Sequence, residues 1–197
     1  MDGTTVAVVV AGYLIGSVDF GVVVPRLLGI DIYSKGSGNP GASNVLRSIG
    51  RGTAAIVVLG DLGKAVGAAA LGDLVAGEAA GFAAGAAAVL GHCFPVWHSL
   101  RGGKGVATAA GMTLWLEPFL GLAMLVTWSV LVAATKRASV ASLLVVVGYL
   151  PALVAFGHRG WSLVWAAAMA GLVTIRHFGN IKRLAGGVEH TVETDSP

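Results

Sequence analysis

The sequence predicts an all-α membrane protein, a polytopic bundle of about seven transmembrane helices. Three observations predict it. Hydrophobic residues make up 55% of the 197 residues and charged ones only 12%, with a mean hydropathy of +0.80, far from the range of water-soluble domains. The apolar residues fall into consecutive runs separated by short polar connections. The Lys and Arg residues collect in alternate connections, as the positive-inside rule requires of a multi-pass chain.

In chain order the runs are 5–28, 53–71, 77–97, 105–116, 117–135, 138–156 and 160–174. The first has neither a basic start nor a small-residue cleavage signal and reads as a retained span, not a signal peptide. The fourth is too short to cross about 30 Å of hydrocarbon as a straight helix, so it is expected to tilt, to be partly re-entrant, or to start below the interface. Gly63 and Gly67, then Gly77, Gly81 and Gly85, recur at four-residue spacing and are expected to let helices approach closely. Trp97, Trp115 and Trp161 stand near span ends as interfacial anchors. Residues 1–190 are expected to form a single transmembrane helical domain and 191–197 a polar C-terminal tail.

An N-terminus outside and a C-terminus in the cytoplasm put every Lys and Arg inside except Lys64, within a span, and Arg159. Asp73, Glu78 and Glu117 then fall in the outer connections. Asp19 and Lys64 would each lie about 13 to 17 Å deep, and are expected to touch. Asp61 and Lys64, three apart on one helix, are expected to neutralise each other. Cys93, the single cysteine, excludes an internal disulfide and reads as a buried structural thiol.

Three polar stretches share the basic side: Gly36 to Asn44, Arg101 to Thr108 and Arg176 to Arg183. Gly36, Gly38 and Gly41 bracket Ser37 and Asn39, while Gly102, Gly103 and Gly105 bracket Lys104. Such loops can aim successive backbone N–H groups at one anion, and the helix starting at Val106 would point its positive end there. Lys104 is followed by Gly105, where a nucleotide phosphate loop needs Ser or Thr, so nucleotide hydrolysis is not expected. His92, His98 and His158 lie on different segments with no metal-ligand spacing, so neither a metal nor a cofactor is expected. The His190-x4-Asp195 pattern sits in the tail, where nothing would hold the pair, and reads as coincidence.

The glycine-serine loop running into Asn44-Val-Leu-Arg47, the Gly91-His-Cys-Phe-Pro-Val run leading to Gly102-Gly-Lys-Gly-Val-Ala-Thr108, and Arg176-His-x-x-Asn-Ile-x-Arg-Leu184 before Glu189 together resemble the three motifs of the bacterial acyl-phosphate:glycerol-3-phosphate acyltransferases. The resemblance extends from the first span to about Glu189. It implies seven spans in the cytoplasmic (inner) membrane and an active site on the cytoplasmic face. It also implies transfer of a fatty acyl group from acyl phosphate to the 1-hydroxyl of glycerol 3-phosphate, giving lysophosphatidic acid for phospholipid synthesis.

Carried over by motif, the resemblance implies catalytic roles for Ser37, Arg47, Lys104, His177 and Asn180. Substrate or phosphate binding is expected from Gly36, Gly38, Asn39, Asn44, Gly102, Gly103, Gly105 and Thr108, and structural support from Glu189. Arg47 can grip phosphate with its planar fork and Lys104 offers a point charge, whereas His177 could act as base or as phosphate ligand. Ser139 and Ser142 share a helix face near the same end and are expected to bond to their own backbone. The expected partners are glycerol 3-phosphate, fatty acyl phosphate and membrane lipids, with no nucleic acid, and a monomer is the expected working unit. The alternative class is a small transporter of an anionic metabolite. An inverted repeat is not evident, and the polar motifs lie on one side only. A phosphatidyl-alcohol transferase would need acidic metal ligands at an inner helix end, which this sequence lacks.

Overall fold

In the computed structural model, which describes residues 2–192, the described residues form helices and connections without a strand. The helices are α1 (Gly3–Gly16), α2 (Phe20–Leu27), α3 (Ala42–Ser48), α4 (Arg51–Ala76), α5 (Glu78–Cys93), α6 (Val106–Leu116), α7 (Pro118–Thr135), α8 (Ala138–Ala155), α9 (Trp161–Arg176) and α10 (Phe178–Ala185). Five segments are long and apolar enough to cross a membrane: Gly3–Leu27, Arg51–Ala76, Glu78–His98, Pro118–Thr135 and Ala138–Ala155. Val106–Leu116 and Trp161–Arg176 are shorter apolar helices in the same bundle.

The sequence of α5 explains its place at the centre. Its Ala and Gly residues carry little side chain, so backbones of other helices come close on several sides, and Ala80 through Val89 are all buried. α1, α4, α6 and α9 surround it. A β-carbon on Gly12 or Gly16 of α1 would strike the α5 backbone at Ala84 or Ala88, and one on Gly111 of α6 would strike α4 at Leu62. Gly81 and Gly85 serve the expected packing role, against α4 and α6. Gly63 and Gly67 do not, since no neighbour lies within 4 Å of either, and Gly77 is a helix terminus with φ +85°. Spacing alone could not say which face of α4 met another helix.

α7 is the opposite case. Phe119, Leu122, Val126 and Val130 point outward and are exposed, an apolar surface that a protein in water could not tolerate but a lipid-facing helix requires.

The first apolar run gives the one candidate span expected, Gly3–Leu27, but its helix is interrupted inside that span. α1 ends at Gly16, and Asp19 caps α2 through a 2.9 Å bond from Gly21 N–H to its Oδ1. The opened turn is not wasted, because the Val18 carbonyl accepts from Lys64 Nζ at 2.7 Å. Lys64 also lies 2.8 Å from Asp61 Oδ1 and 3.0 Å from His92 Nδ1. The expected neutralising pair on α4 is therefore present, whereas the Asp19–Lys64 contact is replaced by Lys64 meeting the neighbouring Val18 carbonyl. His92 was expected to stand apart. Instead Asp19, Asp61 and His92 bring ligating atoms within 4.8 Å of one another, a grouping able to hold a cation. The Lys64 ammonium beside Asp61 and His92 already supplies positive charge there.

Trp97 and Trp161 are exposed at helix ends as anchors should be, while Trp115 donates its indole N–H to Asp73 at 3.0 Å. Cys93 is fully buried in the core. At the acidic end of the bundle, His158 lies 2.9 Å from Glu78 and 2.7 Å from Glu117, tying the starts of α5 and α7 to the α8–α9 connection.

Candidate active site

The opposite, basic end carries the three polar stretches, and they are fastened to one another. Tyr33, just before the first, donates its hydroxyl to the Arg101 carbonyl at 2.5 Å, and the Arg101 guanidinium stacks 4.6 Å over the Tyr33 ring. Arg176 of the third donates to the Gly102 and Gly103 carbonyls of the second, at 2.8 and 3.1 Å, and lies over the Phe94 ring. Lys104 donates to Asn180 Oδ1 at 2.6 Å. Arg47 donates to the Thr191 carbonyl at 3.1 Å, and Val192 N–H to the Lys136 carbonyl at 2.8 Å, so the start of the expected tail is docked. Residues 193–197, with Asp195 of the His190 pattern, lie outside the described residues.

Between these stretches lies a cavity of about 220 Å³. Ser37, Asn39, Asn44, Arg47, Lys104, Gly105, His177, Asn180 and Glu189 all line it. Every residue expected to be catalytic thus faces one space. Asn44, at the buried start of α3, braces the first loop: its side-chain oxygen accepts from Ser37 N–H at 2.9 Å and its amide donates to the Lys35 carbonyl at 3.0 Å. Gly36 and Gly38 provide the left-handed turns, with φ of +49° and +68°, that bend the loop around Asn44, and neither lines the cavity.

The second loop departs from the expected anion cradle at two residues. Gly102 and Gly103 are not at the cavity wall, and Gly103 spends its N–H on the His92 carbonyl at 3.1 Å. They are glycines because a β-carbon on either would collide with His92. Their task is to let the loop pass inside the bundle, where both are buried, so that α6 can begin below the surface. Thr108 is also away from the wall, and its buried hydroxyl has no hydrogen-bond partner among the described residues.

His177 sits at the elbow between α9 and α10, where its Nδ1 lies 2.8 Å from the Val173 carbonyl. A carbonyl can only accept, so Nδ1 carries the proton and Nε2 is left as an acceptor. Burial, with Lys104 and Arg176 near, takes this imidazole down to about 4, although the Val173 bond and Glu189 pull the other way. It is neutral at pH 7. Burial, aided by Arg183, Arg47 and Arg176 and opposed by Glu189, brings the Lys104 ammonium down to about 8.

Glu189 is the hub. It accepts from Ser139 at 2.9 Å, Asn180 at 2.6 Å and Arg183 at 2.9 Å. Burial raises its carboxyl, but the Asn180 and Ser139 hydrogen bonds and the Arg183 charge outweigh that, and it stays below the ordinary glutamate value. Ser142 instead bonds to the Ala138 carbonyl of its own helix, as expected, and accepts from Trp128. Sequence reasoning gave no role to Arg176, Arg183, Tyr33 or His92, although Arg176 and Arg183 stand inside the third motif and could have been found there.

Away from the polar mouth the cavity wall turns apolar, with Leu62 of α4, Ala110 of α6, Met124 of α7, Val146 of α8 and Met169 of α9. One space therefore joins a cationic, hydrogen-bonding end to a greasy arm.

Known proteins match this arrangement along nearly its whole length. A family model described as glycerol-3-phosphate acyltransferase matches residues 6–187. A glycerol-3-phosphate acyltransferase of Rhizobium meliloti is 42% identical over 190 residues, 96% of this chain and 93% of its own. The crystal structure of PlsY (YgiH), an integral membrane glycerol 3-phosphate acyltransferase, in its glycerol 3-phosphate form, superposes with a TM-score of 0.91 at 34% identity, covering 96% of each chain. Its lysophosphatidic acid form gives 0.89, covering 96% of this chain and 95% of that one. With this agreement in sequence, length and fold, the chain belongs to the glycerol-3-phosphate acyltransferase family.

Proposed function

We propose that the protein transfers a fatty acyl group from acyl phosphate to the 1-hydroxyl of sn-glycerol 3-phosphate, releasing lysophosphatidic acid and inorganic phosphate for phospholipid synthesis. The observation that carries this reading is the single cavity with a cationic mouth and an apolar arm. Both substrates bring phosphate, and one brings an alkyl chain; the arm takes the chain and the mouth takes the anions. The polar mouth would face the cytoplasm at the inner membrane of a bacterium, with seven crossings and the N-terminus outside, which agrees with the distribution of Lys and Arg. A single copy contains every residue invoked, so a monomer suffices.

Arg47 and Lys104 would clamp phosphate, the first by its fork and the second as a point charge. Ser37 and Asn180 would orient it by hydrogen bonds, with the Gly105 N–H as a further donor. Acyl phosphate is a mixed anhydride with a good leaving group, so the glycerol hydroxyl attacks the acyl carbon directly, the carbon–oxygen bond to phosphate breaks, and no acyl-enzyme forms. Positioning and stabilisation of developing charge supply the rate. A neutral His177 held near 4 is a weak base. In this reading its Nε2 accepts a hydrogen bond from the attacking hydroxyl and orients it, and the departing phosphate takes the proton.

The test is reconstitution in vesicles with acyl phosphate and labelled glycerol 3-phosphate. Label in lysophosphatidic acid supports the acyltransferase; label accumulating inside vesicles without acylation would establish the transporter. Replacement of His177 by Gln separates the two histidine roles. An orienting role costs less than the ~10²-fold where general-base losses begin, and a larger fall would restore it as the base.

A further inference from the structure

The apolar arm has a built floor. At its far end Tyr149 of α8 is only 2% exposed, and its hydroxyl lies 3.3 Å from Thr113 Oγ1 of α6. Thr113 spends its one proton on the Ala109 carbonyl at 2.9 Å, so the tyrosine must be the donor to Thr113. The ring is thereby fixed across the gap between α6 and α8. Gly121 closes the α7 side: a β-carbon there would stand 2.8 Å from the Leu114 backbone, which marks a close approach of α6 and α7. Behind this floor, toward the acidic end, stands the Glu117–His158–Glu78 cluster, which no alkyl chain would enter without desolvating charge.

We infer that Tyr149, held by Thr113, is a specificity-determining residue that sets the length of acyl chain the arm accepts; this rests on the acyl-phosphate reading of the same cavity. The dimensions come from the helices. Along α6 from Gly105 to Thr113, and along α8 from Ser139 to Tyr149, the arm runs about 12 to 15 Å at 1.5 Å per residue. A fully extended chain advances about 3.3–3.6 Å per three bonds, or about 1.2 Å per bond. Roughly ten to twelve carbons reach the Tyr149 ring in extended form. A longer chain has to bend or leave the arm for the bilayer, and its extra methylenes gain nothing from the protein.

The experiment is a series of acyl phosphates from roughly eight to roughly eighteen carbons, each long enough to bury apolar surface in the arm. For the intact protein kcat/KM should climb by up to roughly fourfold per methylene while carbons still enter the arm, and level off once the floor is met. Tyr149→Ala should carry the climb on to longer chains. Ala110→Phe, which fills the middle of the arm, should stop it at shorter ones, and it decides the matter if Tyr149→Ala fails to fold. A folded Tyr149→Ala or Ala110→Phe protein whose chain-length profile matches the unaltered one overturns the ruler alone. An unaltered protein that makes no lysophosphatidic acid from any member of the series overturns the donor assignment, and the ruler with it.

Discussion

Two buried charge constellations sit in this bundle, and they handle charge in different ways. The Asp19–Asp61–Lys64–His92 group sits among α2, α4 and α5, and its ammonium is held by a carboxylate, an imidazole and a main-chain carbonyl. Its ammonium is balanced within the group, although Asp61 and His92 also line the cavity and Asp19 Oδ2 has no hydrogen-bond partner among the described residues. The group at the mouth places Arg47, Lys104 and Arg183 on the cavity wall with one carboxylate, Glu189, while Arg176 holds the second loop. Among the described residues Arg183 forms the ion pair with that carboxylate, while Lys104 bonds to the Asn180 amide. The first group therefore ties α2, α4 and α5 together, and the second is the one proposed to recruit an anion. A buried cation by itself says little about function; whether its counter-charge is built in says much more.

The sharpest way to break that contrast is to remove Lys64. Lys64→Met leaves Asp61 buried without its partner and should cost about 3–5 kcal/mol of stability, read from thermal or denaturant unfolding in detergent. The added change Asp61→Leu should return part of it. Intact stability with lost turnover would instead make this group part of the active site.

Lys104→Ala should do the reverse. We expect kcat/KM for glycerol 3-phosphate to fall about 10²–10³-fold, some 2.7–4 kcal/mol of transition-state stabilisation, with unfolding little changed. Arg47→Lys should be poorly tolerated for its own reason, the loss of the fork.

Smaller, and sharpening rather than breaking the contrast, is Glu189→Gln. It weakens charge-assisted bonds from Arg183 and alters those from Ser139 and Asn180, an effect of about 1.5–3 kcal/mol. It should appear in kcat more than in KM for glycerol 3-phosphate, because it loosens the residues around Lys104 without removing a cation. Equal losses from Glu189→Gln and Lys104→Ala would show that Glu189 contacts the reactants.

The smallest effect is on pH. Lys104 is cationic below about 8 and neutral above, so its attraction for phosphate is present on the acid side and lost as pH rises through that value. kcat/KM should decline above it by about tenfold per unit, and Lys104→Arg should move the decline beyond the measurable range. A profile flat to pH 10 or so in the unaltered protein would show that Lys104 titrates near the ordinary lysine value or that its charge is not used in binding, and Lys104→Ala separates the two.

Much of the site could be read before any coordinates, because motif residues of unusual chemistry stood out from an apolar background. Ser37, Arg47, Lys104, His177 and Asn180 all line the one cavity. What could not be read was which backbone groups remained available. Gly102 and Gly103 look like an anion cradle in sequence, but their carbonyls serve Arg176 and the Gly103 N–H serves His92. The break between α1 and α2 was equally hidden, since Ser17-Val-Asp19 interrupts the hydropathy too briefly to end a run. Gly63 and Gly67 show the limit of spacing arguments, since a small-residue face needs a partner helix and the sequence does not name one.

The sequence by itself determined the class of protein, the family and the end of the bundle where charge collects. Those follow from composition, from local motifs and from the cost of placing Lys or Arg in hydrocarbon, none of which needs distant residues to meet. Only the tertiary structure decided that Lys64 meets Val18 and His92, that Glu189 accepts from Ser139 of α8, and that Tyr149 closes an apolar arm against Thr113. These are contacts between segments far apart in the chain. Where the spanning helices are apolar on all sides, periodicity leaves their rotation and pairing open, and close packing chooses among the faces.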